Sequence, residues 1–181
     1  MRDICKIALR LTILMVIAGL CLGAAYTVTK DPIARQEAEQ KEMARKAVLE
    51  EAVSFEEVQL TDGGNVQECY RGLDVAGNPC GYAMSVTAKG FGGDIQLTIG
   101  VKDGVVTGVR IGTHSETPGL GARAAEEKFY GQFTGKSGTL SVIKTGEAGD
   151  SEINAITAAT ITSTAVTNAV NEALDCAAGL N

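Results

Sequence analysis

The stretch "NAITAATITSTAV", Asn154 to Val166, carries five hydroxyl side chains in the eight positions from Thr157 to Thr164: Thr157, Thr160, Thr162, Ser163 and Thr164. Capping one helix needs a single hydroxyl. An apolar stripe at helical spacing follows, with Val166, Ala169, Val170, Ala173, Leu174 and Ala177, so a closing helix is expected to start near Ser163. The unpaired N–H groups and the positive dipole end of that helix point back at the hydroxyl run. Such a terminus is a competent cradle for phosphate oxygens. Hydroxyl-rich capping alone gives the same pattern, so both readings stand at this level.

A second segment, "SETPGLGARA" from Ser115 to Ala124, makes an exposed turn around Pro118, Gly119 and Gly121. A third, "GFGG" from Gly90 to Gly93, lets backbone approach a neighbour closely. Phe91 between those glycines either flanks a ligand or fills core. The single His114 is either a hydrogen-bonded loop residue or a proton relay, and it cannot complete a recognisable zinc set. Among the five cysteines no CxxC pair occurs; Cys69 and Cys80 are either a disulfide or reduced and buried. A threonine hydroxyl attacks poorly unless a base takes its proton, and no His or carboxylate is evidently placed to do so. The chain is therefore assigned no catalytic residue and no metal ligand of its own.

The elements that position these segments follow from periodicity. Ile95, Leu97, Ile99 and Val101 alternate, Asp103-Gly104 supplies a tight turn, and Val105, Val109 and Ile111 begin the return strand. The pattern is strand-like from Val66 to Ile111, with a turn at Thr61–Asn65 before it. Ala122 to Phe133 reads as a helix and Leu140–Lys144 as a short strand. Strands bunched between helices predict an α+β domain, a central antiparallel sheet flanked by helices. Ile33 to about Val53 is rich in helix formers and reads as a stalk.

Ahead of the stalk, Leu11 to Val28 is eighteen residues without a charge, close to the minimum for crossing a bilayer core of roughly 30 Å. A cleaved signal peptide is the rival reading, with a small-residue site at Leu22–Ala25, although its apolar region is typically shorter. Arg2, Lys6 and Arg10 precede the segment and predict a cytoplasmic N-terminus. The expected organisation is therefore residues 1–10 cytoplasmic, 11–29 transmembrane, 30–60 a helical stalk and 61–181 a domain outside the cytoplasm. Net charge is −6; residues 1–30 carry Arg2, Lys6, Arg10 and Lys30 against Asp3 alone, so the excess negative charge falls on the body of the chain. With only 4% aromatic residues and no Trp, it suits no nucleic-acid partner.

"NAITAAT", Asn154 to Thr160, resembles the flavinylation sequence of the FMN-binding domain family, D-x-x-(S/T)-G-A-T. "SETPGLGARA" resembles that family's Thr-Pro-Gly-Leu-Gly turn, and "GFGG" with the hairpin after it resembles its central hairpin. Asn154 stands where the family has Asp, and Ala158 where it has Gly; the hydroxyls of Thr157 and Thr160 match. The resemblance implies FMN joined through a phosphoester to Thr160, making this a phosphoprotein. Thr157, Thr162 and Ser163 would lie around the phosphate, and Glu116, Thr117, Leu120 and Gly121 at the flavin ring. Arg123 and Lys89 either screen the phosphate or are plain surface charges.

Anchor, length and motif order are similar to the G subunits of Rnf electron-transport complexes, and less so to the usually longer C subunits of sodium-pumping NADH:quinone reductases. That implies a single-pass cell-membrane electron carrier with no independent catalysis, within an ion-translocating ferredoxin:NAD⁺ oxidoreductase. Its partners would be integral membrane, flavin and iron–sulfur subunits, with a flavin transferase for maturation. The competing readings are an exported adaptor without covalent flavin, a freestanding flavin reductase, and the FMN-bearing member of a related quinone reductase.

Overall fold

The computed structural model describes residues 2–60 and 64–180. Of the turn expected at Thr61–Asn65, residues 61–63 lie outside the described residues. The chain divides into two compact units, Met1–Lys41 and Glu42–Asn181.

The first unit is helical, part of α1 (Arg2–Val48). An apolar window of mean hydropathy 2.2 makes this helix long and apolar enough to cross a membrane, with none of that window buried. Pro32 interrupts the hydrogen-bond ladder just beyond it, because proline has no N–H to offer the preceding turn. The helix ends at Val48, and Ser54–Val58 is already a strand, so the stalk is shorter than the expected 30–60.

The second unit is α+β. Strands β1 (Ser54–Val58), β2 (Val66–Leu73), β3 (Pro79–Lys89), β4 (Asp94–Lys102) and β5 (Val105–His114) form an antiparallel meander in chain order. The β4–β5 hairpin turns through Asp103 (φ 52°) and Gly104 (φ 74°), the two positive-φ positions of a type I′ turn. Three short turns follow, Gly121–Ala125, α2 (Glu127–Tyr130) and Gly131–Phe133. The single helix expected over 122–133 is broken because Glu126 adopts an extended backbone (φ −82°, ψ 139°). Strands β6 (Ser141–Ile143) and β7 (Glu152–Asn154) pair in parallel, and α3 (Thr160–Ala178) closes the domain, packing on β3 and β4.

The expected alternation holds: Ile95, Leu97, Ile99 and Val101 are all buried beneath α3, with Met84, Val86, Val109, Phe133, Val166 and Val170. The other sheet face receives the end of α1. Cross-strand glycine pairs Gly72–Gly81 and Gly100–Gly108 remove side chains where Val48 and Leu49 lie against the strands. Thr107 donates its hydroxyl to the Val48 carbonyl, and the Arg45 guanidinium stacks 4.1 Å from the Tyr70 ring centre.

Cys69 and Cys80 are free thiols. Cys69 belongs to the core under α3, whereas Cys80 packs with Leu49 and Ala52, so the sheet separates them and no disulfide joins them. Burial pushes the Cys69 thiol up to about 12. Raised above its unfolded value, it favours folding until pH passes about 9, after which the unfolded chain, releasing its proton first, gains by roughly 1.4 kcal/mol per pH unit. Native protein at pH 8 is expected to leave Cys69 unmodified by iodoacetamide, and denatured protein to modify it fully, as read by peptide mass spectrometry. A Gly100→Ala substitution would drive its Cβ into Val48 and Thr107 and is expected to cost about 1–3 kcal/mol, measured by thermal unfolding in detergent.

Candidate functional site

Three loops meet around one buried carboxylate. Glu116, just past the end of β5, is 6% exposed. One of its oxygens accepts the Gly92 N–H at 2.8 Å, and the other accepts the Thr162 hydroxyl of α3 at 2.7 Å. A Cβ at Gly90 or Gly121 would overlap the carboxylate, and one at Gly92 would overlap the Ser115 carbonyl. Glycine is therefore needed at positions 90 and 121 for the carboxylate to fit, and at position 92 for the backbone of residues 115–116 to pass. His114, the last residue of β5, accepts the Glu116 N–H through Nδ1 at 3.3 Å.

The turn after Glu116 is built by local chemistry. The Thr117 carbonyl accepts the Leu120 N–H at 3.2 Å, Pro118 occupies the second position, and Gly119 takes φ 78° in the third. This is a type II turn, with proline and glycine where their backbones favour them. It leaves Thr117 and Leu120 exposed while Gly121 turns inward beneath them. On the facing loop the Gly90 N–H donates to the Gly93 carbonyl, and Phe91 stands 72% exposed, which excludes it from the core. Ile161, adjoining Thr162 in the first turn of α3, is 57% exposed. Phe91, Leu120 and Ile161 each adjoin a residue that touches Glu116 or its cradle.

The hydroxyl run is sorted by α3, which starts at Thr160 rather than Ser163. Ser163 is fully buried; its hydroxyl donates to the Ala159 carbonyl and accepts the Ile156 N–H. Thr162 is buried on Glu116. Both hydroxyls are thus engaged inside the protein, which revises their expected place around a phosphate. Thr157 and Thr164 are exposed and Thr160 is half-buried. The N-cap position belongs to Ala159, which offers no side-chain acceptor. The first intrahelical bond runs from the Ser163 N–H, so the N–H groups of Thr160, Ile161 and Thr162 lie ahead of the ladder at the positive end of the dipole.

Ala158 takes φ 61°, a left-handed backbone that costs a residue with a Cβ about 1–2 kcal/mol. Asn154 is exposed, and its backbone exchanges two hydrogen bonds with the Gln132 side chain. A cleft of about 180 Å³ lies beside this segment, lined by Arg123, Glu126, Lys128, Phe129, Gln132 and residues 154–157. Arg123 pairs with Glu126 at 3.5 Å, and Lys89 sits at 4.0 Å from Asp94 with its side chain 91% exposed. Sequence reasoning missed Ile161 as an exposed apolar side chain, although its place between Thr160 and Thr162 on a helix could have revealed it.

Residues 90–175 match the FMN-binding domain family, and this stretch contains all three loops. The chain belongs to that family. Its curated relatives include the G subunit of the ion-translocating oxidoreductase complex of Methanosarcina acetivorans, 35% identical over 96% of this chain and 94% of the relative. The G subunit of the Na⁺-translocating ferredoxin:NAD⁺ oxidoreductase complex of Acetobacterium woodii is 36% identical over 92% and 87%. Among solved structures, the C subunit of the Na⁺-translocating NADH-quinone reductase of Parabacteroides distasonis aligns with TM-score 0.50 and 27% identity, over 60% of this chain and 59% of that one. That match spans less than two thirds of the solved chain. The Shewanella oneidensis NqrC, at 19% identity and TM-score 0.51 over 67% of this chain and 65% of that one, shares the fold.

Glycine, the residue that the resembling flavinylation sequence carries at position 158, adopts φ 61° at no steric cost. Ala158→Gly is expected to raise stability by up to about 1 kcal/mol, the relief of strain exceeding the extra chain entropy. Thermal unfolding of the two proteins side by side checks it.

Proposed function

We propose that the protein is a membrane-anchored electron carrier that holds FMN through a phosphoester on Thr160, within an ion-translocating ferredoxin:NAD⁺ oxidoreductase of the Rnf type. The observation that carries this reading is the start of α3. A half-buried threonine hydroxyl stands there beside three N–H groups outside the helical ladder, with an alanine at the cap. A phosphate diester on Thr160 would be held by those donors and by the helix dipole. The residues fit an isoalloxazine ring as well. Leu120, Ile161 and Phe91 offer exposed apolar surface around the Glu116 cradle, and Thr117 offers a hydroxyl from the turn.

FMN, when present, supplies one- and two-electron redox chemistry. The chain's own residues bind, orient and partly shield it. Glu116 has both oxygens engaged, so it shapes the turn beneath the ring rather than presenting a free carboxylate. Thr157, exposed beside the cleft, offers a further hydroxyl near the phosphate of that ester. The apolar stretch of α1 serves as the retained anchor. By the cationic N-terminus, the chain start (residues 1–10) is cytoplasmic and the domain lies on the extracytoplasmic side. Partners are the integral membrane, flavin and iron–sulfur subunits of the complex.

Produced beside a flavin transferase, denatured and run on a gel, the wild type is expected to fluoresce yellow-green under ultraviolet light. Its intact mass should rise by one FMN less water. Thr160→Ala should lose both signals while Thr157→Ala keeps at least part of them. Dark wild-type protein of unmodified mass, with a proven acceptor labelled in parallel, would falsify the phosphoester.

A further inference from the structure

Resting on that phosphoester reading, we propose that Glu116 is a positioning residue, which sets the direction of the Thr160 hydroxyl by holding Thr162. Residues on an α-helix advance about 100° each, so Thr160 and Thr162 face roughly opposite sides of the first turn. Pinning Thr162 inward therefore turns Thr160 outward. A first turn with alanine at its cap is prone to fray, and at its leading edge the Thr162 hydroxyl is the side chain that fastens it to the rest of the domain.

The fastening point is itself fixed. Glu116 receives the Gly92 N–H, is 6% exposed, and has Gly90 and Gly121 closed around its carboxylate. A hydroxyl donating to a carboxylate makes a shorter and stronger bond than one donating to a neutral group. The same bond sets the spacing between the ring-side turn, which Glu116 begins, and the phosphate-side helix start. Ser163 is tied to Ala159 and Ile156 and steadies the loop below, but it does not reach the turn.

The step that reads this geometry is flavin loading. The Thr160 oxygen bonds to the flavin-side phosphorus of FAD, the phosphoanhydride bond breaks, AMP leaves, and the hydroxyl proton passes to a base of the transferase. A misdirected acceptor slows that step without weakening encounter.

The test uses full-length apoprotein in detergent, a flavin transferase and FAD, with initial rates followed by intact mass. Wild type, Thr162→Ser, Thr162→Val and Glu116→Gln are compared, each checked by circular dichroism and thermal unfolding. Thr162→Val, which is isosteric, should lower kcat for loading roughly tenfold or more with KM for the acceptor protein little changed. Thr162→Ser should restore most of the rate. Glu116→Gln should retain intermediate loading, since its amide can still bridge Gly92 and Thr162. If folded Thr162→Val loads at the wild-type rate, or loses rate only through KM, Glu116 is a packing clamp and the proposal is wrong. If Glu116→Gln does not fold, the Thr162 pair still decides. Wild type that takes no covalent flavin beside a labelled control acceptor removes the phosphoester reading, and this proposal with it. That outcome is distinct from equal loading of wild type and Thr162→Val.

Discussion

The site depends on burying one carboxyl side chain without leaving it unsatisfied. A polar group withdrawn from water costs free energy unless hydrogen bonds replace its hydration. Glu116 meets that demand with one backbone N–H and one hydroxyl, drawn from segments 24 and 46 residues away in sequence. One bond ties the connection between β3 and β4 to the carboxyl group, and the other ties the first turn of α3 to it. The glycine bend before β4, the proline turn after β5 and the start of α3 are brought together by a single side chain. That also explains the glycines: Gly90 and Gly121 provide room for the carboxylate, and Gly92 provides both room and the donor.

The opposite face of the sheet solves a different problem by similar means. A helix leaving the domain must terminate somewhere, and its last carbonyls need partners. Val48 and Leu49 descend onto strands whose paired glycines leave a trough, and the Val48 carbonyl accepts the Thr107 hydroxyl. This double use of the sheet accounts for the burial along β4. Its first half alternates, while from Leu97 to Val101 every residue is buried, because α3 covers one face and the end of α1 the other.

What could be read from the sequence divides along the range of the interactions. The β4–β5 hairpin was legible because period-two alternation and an Asp-Gly turn are local signals. The apolar stripe of α3 was legible for the same reason. Its start was not: Thr160 opens the helix because Ala159 accepts the Ser163 N–H, and five hydroxyls within eight positions gave no means of choosing the first. Strand β1 carries two exposed glutamates at an edge, and β6 and β7 are three residues each, too short for a period to declare itself. Glu116 was singled out, but as a group beside a ring. Its burial, and the diversion of Thr162 and Ser163 into the interior, are long-range facts that spacing does not encode. The same holds for the separation of Cys69 from Cys80 by the sheet.

A surface with Phe91, Leu120 and Ile161 standing open is a poor pocket by the usual measure, since a ligand held only by contacts needs most of its area buried. The proposed attachment through Thr160 would change that requirement. A covalent bond removes dissociation, so the protein need only orient the ring, and a ring left partly exposed is reachable by a partner's redox centre. The strained backbone at Ala158 fits this division of labour. The loop from Asn154 to Ala159 spends conformational energy on presenting one hydroxyl at a helix start, and the stability it gives up is small beside that of a domain whose sheet is packed on both faces. Shallow orientation joined to the proposed attachment is an arrangement that this exposed surface can support.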